Sequence, residues 1–130
     1  MRSMSTTIRP RLIVPSVDEA VTYYASVFGA LETFRFTEPS GSIAHCEITI
    51  GSSALSLAQA NDDYGLYAPE TLSGSPVLLT AIVDDARAVG TAMTAAGATV
   101  VVPIEDRDYG RCEGRIRDPF GHLWVISQQL

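Results

Sequence analysis

Two stretches of this chain are rough copies of each other. Val17-Asp18-Glu19-Ala20 through Phe28-Gly29-Ala30 is matched by Val83-Asp84-Asp85-Ala86 through Ala96-Gly97-Ala98, about 66 to 68 residues further on, in a chain of 130 residues. Each copy follows an apolar, strand-like run, Arg11 to Val14 in the first case and Val77 to Val83 in the second. The repeating unit is therefore a strand, a helix and further strands. A half of this size buries too little surface to stand comfortably alone, so the halves are expected to fold together and to share a cleft.

The first unit reads as follows. Ile8 to Val14 is a strand ended by Pro15, and Ser16-Val17-Asp18-Glu19 has the Ser-x-x-Glu form that caps a helix N-terminus. Val17, Ala20, Val21, Tyr24 and Phe28 share one face of the predicted helix, and Gly29 supplies its stop. Leu31 to Phe36, Ile43 to Ile50 and Ala54 to Ala60 are predicted strands, separated by Glu38-Pro39-Ser40-Gly41 and Gly51-Ser52-Ser53.

The second unit repeats this with Val77 to Val83, a helix carrying Ala86, Val89, Met93 and Ala96 on one face, then Thr99 to Val102, Glu113 to Arg117 and His122 to Ser127. Asp118-Pro119-Phe120-Gly121 forms the last hairpin turn. Asn61 to Pro76 and Pro103 to Cys112 lack periodicity and read as irregular segments. The fold class is α+β: two β-α-β-β-β modules, one over about residues 8–60 and one over about 77–129, joined by a linker at 61–76. They make a curled mixed sheet around a cleft, with the helices on its outer face, in a single domain spanning 1–130.

Strand alternation sorts side chains by face. In the strand from Ala54, the small row Ala54, Ser56, Ala58 suggests close approach of a helix, which would turn Leu55, Leu57 and Gln59 to the cleft. In Ile43 to Ile50, His45, Glu47 and Thr49 form a polar row, and Glu113, Arg115 and Arg117 form another in the second unit; alternation alone leaves open whether these rows face bulk water or a wet pocket.

Composition excludes several function classes. A net charge of −6 with no cluster of cations argues against nucleic acid, whose affinity comes from cations displacing counterions. No apolar run is long enough to cross a bilayer, and the N-terminal Met1-Arg2-Ser3-Met4-Ser5-Thr6-Thr7 lacks the apolar region of a secretory signal, so a cytoplasmic location is expected. Cys46 and Cys112 have no second cysteine at metal-ligand spacing and read as buried free thiols.

With Tyr23-Tyr24 and the run Gly114-Arg115-Ile116-Arg117-Asp118-Pro119-Phe120-Gly121-His122-Leu123-Trp124 added to the two copies, the pattern resembles the vicinal oxygen chelate superfamily of glyoxalase I, bleomycin resistance proteins and extradiol dioxygenases. It looks like an uncharacterised glyoxalase-like bacterial branch. The resemblance implies a cleft usually completed in a homodimer and, in the enzymes, a divalent metal held by four side chains from the first and last strands of each module. Laid along the motif, those positions fall at Pro10, Leu57, Leu78 and Val125, none of which can coordinate a metal.

The expected function is accordingly metal-independent binding of a small molecule, antibiotic-like or a metabolite, with no cofactor. The expected ligand-binding residues are Leu12, Leu55, Leu57, Gln59, Leu78 and Val125, with Tyr109 and Arg115 at the pocket mouth. The alternative is a lyase, isomerase or dioxygenase-type enzyme, either cofactor-free or with a divalent metal displaced to His45 and Glu47. His122 directly follows a turn glycine and is expected to be structural. The expected partners are a small-molecule ligand and a second copy of the chain, not nucleic acid or a membrane.

Overall fold

A computed structural model describes residues 5–130. The elements run β1 (Arg11–Val14), α1 (Val17–Phe28), β2 (Leu31–Thr37), β3 (Ile43–Ile50), β4 (Ser53–Gln59), β5 (Leu78–Ile82), α2 (Ala86–Ala95), β6 (Thr99–Asp106), β7 (Arg111–Arg117) and β8 (Leu123–Gln129). They form two four-stranded mixed sheets, ordered β1-β4-β3-β2 and β5-β8-β7-β6. In each, the first and last strands of the module pair in parallel and the other pairs are antiparallel. The repeat seen in the chain is thus a repeat in space.

Local chemistry sets the helix ends. The Ser16 Oγ accepts from the Glu19 N–H at 3.2 Å, and Asp85 Oδ1 accepts from the Ala88 N–H at 3.0 Å, so each helix begins on a side-chain cap. Gly29 closes α1 at φ 70°, a left-handed conformation that costs glycine little. Val17, Ala20, Tyr23, Tyr24 and Val27 are the buried face of α1, and Ala86, Gly90 and Met93 that of α2.

The predicted irregular segments acquire structure. Asn61 to Pro76 contains short 3-10 turns at Asp62–Tyr64 and Pro69–Leu72. Pro103 to Cys112 is mostly strand: β6 continues to Asp106 and β7 begins at Arg111. Pro103 is accommodated because the β6–β7 register shifts between Val102 and Glu105, a bulge at which the missing proline N–H breaks no ladder bond. The Arg107 guanidinium braces this bulge, donating from Nε to the Glu113 carbonyl at 3.1 Å and from Nη2 to the Pro103 carbonyl at 2.5 Å.

Among the described residues no backbone ladder joins the two sheets, which meet through side chains. Tyr24 and Phe28 of α1 pack on Trp124 of β8, with Phe28 and Trp124 ring centroids 4.9 Å apart, and Tyr23 meets Phe120 at 5.7 Å. His122 reaches back to module one, its Nε2 donating to the Ile13 carbonyl at 2.8 Å. Because a carbonyl only accepts, this bond fixes the proton on Nε2. The bond ties His122, expected to be structural, to the backbone of module one.

Among the described residues, no helix is long and apolar enough to cross a membrane. The N-terminal reading falls partly on residues 1–4, which lie outside the described residues.

Candidate functional site

Each sheet has one face under its helix and one face open, and cross-strand register with burial shows which residues lie on each. In module one, Cys46 and Ile48 stand opposite Leu57 and Leu55, and Leu12 stands beside Leu57; all are buried on the helix side. The face opposite the helix carries Arg11, Ile13, Ala54, His45, Glu47 and Thr49 and, buried among them, Ser56 and Ala58, by the same register.

This reverses the expectation that the small row of β4 carries the helix. Leu12 and Leu57 belong to the core, and Leu55, itself buried, reaches only the edge of the groove between the modules, because burying their larger apolar surface against α1 is worth about 25 cal/mol per Å² and Ala and Ser offer little of it. Gln59 also departs from its expected place: its Oε1 accepts from the Ile43 N–H at 3.4 Å and so pins the start of β3.

In module two the parity expected from sequence holds. Trp124 and Ile126 are buried on the helix side with Ile116, whereas Leu78, Leu123, Val125, Glu113, Arg115 and Arg117 share the open face. Tyr109 lies away from it, exposed in the turn between β6 and β7.

The open face of module one holds an organised polar cluster. Glu47 Oε1 accepts from an Arg9 guanidinium N–H and lies 3.2 Å from His45 Nε2. These partners, His45 foremost, lower the Glu47 pKa below the usual carboxylate range and keep it charged. His45 Nδ1 is buried without a hydrogen-bond partner. Phe34 and Phe36, opposite Glu47 and His45 in the β2–β3 ladder, stand on the same face and are 49% and 53% exposed, with Phe34 5.9 Å from the His45 ring. Two exposed phenylalanines on one sheet face are a surface on which an apolar guest could pack. Sequence reasoning passed them over, although their i, i+2 spacing next to the polar row carried the signal.

On the open face of module two, Arg111 Nη1 donates to Ser127 Oγ at 3.2 Å, and that hydroxyl donates to Glu113 Oε1 at 3.1 Å. Arg115 lies opposite Val125 and Arg117 opposite Leu123, so both guanidinium groups rise beside apolar neighbours. A separate groove of about 1050 Å³ runs between the modules, where Phe28, Leu55, Leu79, Ile82 and Trp124 are among the lining residues.

The donor set for a divalent metal is poor. Two of the four corner positions, Pro10 and Leu57, turn out to share the parity of buried Leu12. The row of β1, β4, β5 and β8 opposite the helices includes Arg11, Ser56, Ala58, Leu78, Thr80, Val125 and Ser127, of which Ser56, Ala58 and Ser127 are buried, with no imidazole or carboxylate among them. Among the described residues no group of three or more His, Cys, Asp or Glu is arranged to hold a metal ion. The pair His45 and Glu47 lacks a third donor, and Glu47 is already engaged by Arg9.

Comparison with known proteins agrees with this architecture. Residues 6–126 match the sequence model of the Glyoxalase/Bleomycin resistance protein/Dioxygenase superfamily. The chain is 33% identical over 129 residues to the uncharacterised protein Mb0911c of Mycobacterium bovis, covering 95% of this chain and 83% of that one. It superposes on the X-ray structure of the Arabidopsis thaliana gene product At5g48480 with a TM-score of 0.74 at 25% identity, covering 95% and 99% of the two chains. The fold, at 16% identity and a TM-score of 0.68 over 95% of this chain and 91% of the other, is also that of the fosfomycin resistance protein FosX from Mesorhizobium loti.

Proposed function

The chain belongs to the Glyoxalase/Bleomycin resistance protein/Dioxygenase superfamily, and from that premise we propose that it binds a small molecule, antibiotic-like or a metabolite, without a metal ion. One observation carries the proposal: the outward side chains of β1, β4, β5 and β8 are guanidinium, hydroxyl or aliphatic, and a divalent cation needs imidazole or carboxylate donors to offset its dehydration. What remains on the open faces suits an organic guest, with Phe34, Phe36, Leu78 and Val125 as apolar walls and His45 and Arg115 as polar contacts.

A second copy of the chain is part of this reading. β1 and β5 each leave one edge unpaired, and the exposed Val77, Leu78 and Ile82 along β5 are an apolar border of the kind that subunits cover. Sedimentation is expected to give a dimer at micromolar concentration, and a monomer there would remove this part of the proposal.

The test of the main proposal is a thermal-shift screen of a metabolite and antibiotic library, run with EDTA and again with Mn²⁺, Fe²⁺, Ni²⁺ and Zn²⁺, alongside metal analysis of the purified protein. Compounds that raise Tm equally in both conditions are expected. A stoichiometric, tightly held divalent ion would overturn it.

The enzymatic alternative rests on His45, whose Nε2 is oriented by Glu47 while Nδ1 has no partner. If a converted substrate is found, His45→Ala should then abolish turnover; an unchanged rate would leave His45 without a catalytic role.

A further inference from the structure

All nine Lys and Arg residues of this chain are arginines, in a protein with 15 acidic residues. Such an excess of acid offers every guanidinium a partner, and most of those described have taken one. Arg9 pairs with Glu47, Arg35 with Asp18 and Glu32, Arg87 with Asp106, and Arg107 with Glu105, while Arg111 donates to Ser127. Among the described residues, Arg11, Arg115 and Arg117 make no side-chain hydrogen bond or ion pair, and all three stand on the open faces of the sheets.

The acids on those faces are already committed. Glu47 is held by Arg9 and His45, Glu105, opposite Glu113 in the β6–β7 ladder, pairs with Arg107, and Glu113 accepts from Ser127. Apart from Glu113, whose partner is a neutral hydroxyl, the acidic groups without an ion pair sit elsewhere, at helix starts and turns, as with Glu19, Asp62, Asp63, Asp84 and Asp108. A chain with net charge −6 therefore presents locally positive open faces, and its overall charge misstates the field that a ligand meets there.

We propose that the ligand is a small organic anion, an apolar or aromatic body carrying a carboxylate or phosphonate head, with the head held by Arg115 and Arg117 on β7. This rests on the small-molecule reading above and narrows it. The two guanidinium groups are at i and i+2 on one strand face, so they project side by side, and each presents the planar fork that matches two oxygens of an oxyanion. Leu123, Val125 and Leu78 lie beside them to receive the apolar part. An acidic composition by itself favours a cationic or neutral guest; the placement of the unpaired arginines favours an anion.

The experiment compares four probes of one shape by calorimetry at low ionic strength: 2-naphthoate, 2-naphthylphosphonate, neutral 2-naphthamide and 2-naphthylmethylammonium. At least one anion is expected to bind at least about tenfold more tightly than the amide, the discrimination that one charge-assisted hydrogen bond supplies. That preference should fall toward unity in the Arg115→Gln/Arg117→Gln double variant, whose exposed positions leave the fold intact. The ratio of the two anions distinguishes carboxylate from phosphonate recognition.

Binding of the amide or the ammonium as tightly as the anions, an anion preference that survives the double variant, or no binding of any probe at about 1 mM would each overturn the inference. The library screen separates this from failure of the broader reading: neutral or cationic hits leave small-molecule binding in place, whereas an absence of any hit removes both.

Discussion

The Asp118 carboxylate accepts from four donors: the Tyr24 hydroxyl at 2.5 Å, Trp124 Nε1 at 2.9 Å, and the Phe120 and His122 backbone N–H groups at 3.0 Å each. A buried acid so fully supplied stabilises the turn it belongs to, and removing a donor or the charge leaves the others unsatisfied. Asp118→Asn is expected to lower stability by about 2–3 kcal/mol and Tyr24→Phe by about 1–2 kcal/mol, measured by urea denaturation. Tyr24 itself is held protonated, its pKa raised well above the ordinary phenol value by burial and by the Asp118 charge.

Cys46, fully enclosed beneath α1, shows the same logic with the opposite consequence. Burial pushes its thiol up from 9.0 to about 11, so the folded protein binds more protons than the unfolded chain between those values. Its contribution is complete below pH 9 and is lost as pH rises toward 11. Cys46→Ala should therefore flatten the alkaline decline of Tm in that window, and native Cys46 should resist alkylation at pH 8. That both cysteines are free and buried was legible from their apolar surroundings; the ring of donors around Asp118 was not, because Tyr24 lies 94 residues away in sequence.

Among the elements, the linker and the last hairpin are fitted to each other. Gly121 has φ +94°, and a Cβ there would come within 3.0 Å of the Pro69 and Glu70 backbone, so the turn at Pro69–Leu72 crosses directly over it. Gly121→Ala should destabilise by more than the about 1 kcal/mol expected of a positive-φ glycine alone, whereas Gly41→Ala, at φ +90° in open space, should cost only that amount. Equal losses in thermal denaturation of the two variants would show that the linker does not bear on the turn. Gly114 is similarly confined, since a Cβ there would lie 2.5 to 2.7 Å from backbone atoms of Val102, Pro103 and Ile104 at the β6 bulge.

Strand existence and helix caps were readable because they depend on neighbours a few residues apart. The extension of β6 through Pro103 was not, since it depends on a bulge opposite Gly114 that forms only when β6 and β7 pair. The face of β4 was misjudged for a related reason: its small and large rows both make sense until Cys46, Ile48 and Leu12 line up beside Leu55 and Leu57.

For the whole molecule, the aromatic junction decides whether two modules behave as one. Trp124 is the sole tryptophan and touches Tyr24 and Phe28 of the other module, so its fluorescence reports their separation directly. Coincident urea transitions by fluorescence and far-UV circular dichroism are expected, as for a single cooperative unit. His122→Ala, which removes the bond to the Ile13 carbonyl, should lower the unfolding free energy by about 1–2 kcal/mol while keeping the transitions coincident. A fluorescence change that precedes the loss of secondary structure would mean that the modules part before they unfold.

The sequence by itself determined the repeat, the β-α-β-β-β order and the turns, because periodicity and capping residues are properties of short segments. Only the tertiary structure decided which row of each sheet is open, which arginines find a partner, and how the modules hold one another. Those outcomes depend on pairings across tens of residues, where burial of the larger apolar surface and the geometry of ion pairs choose between alternatives that local pattern leaves equal.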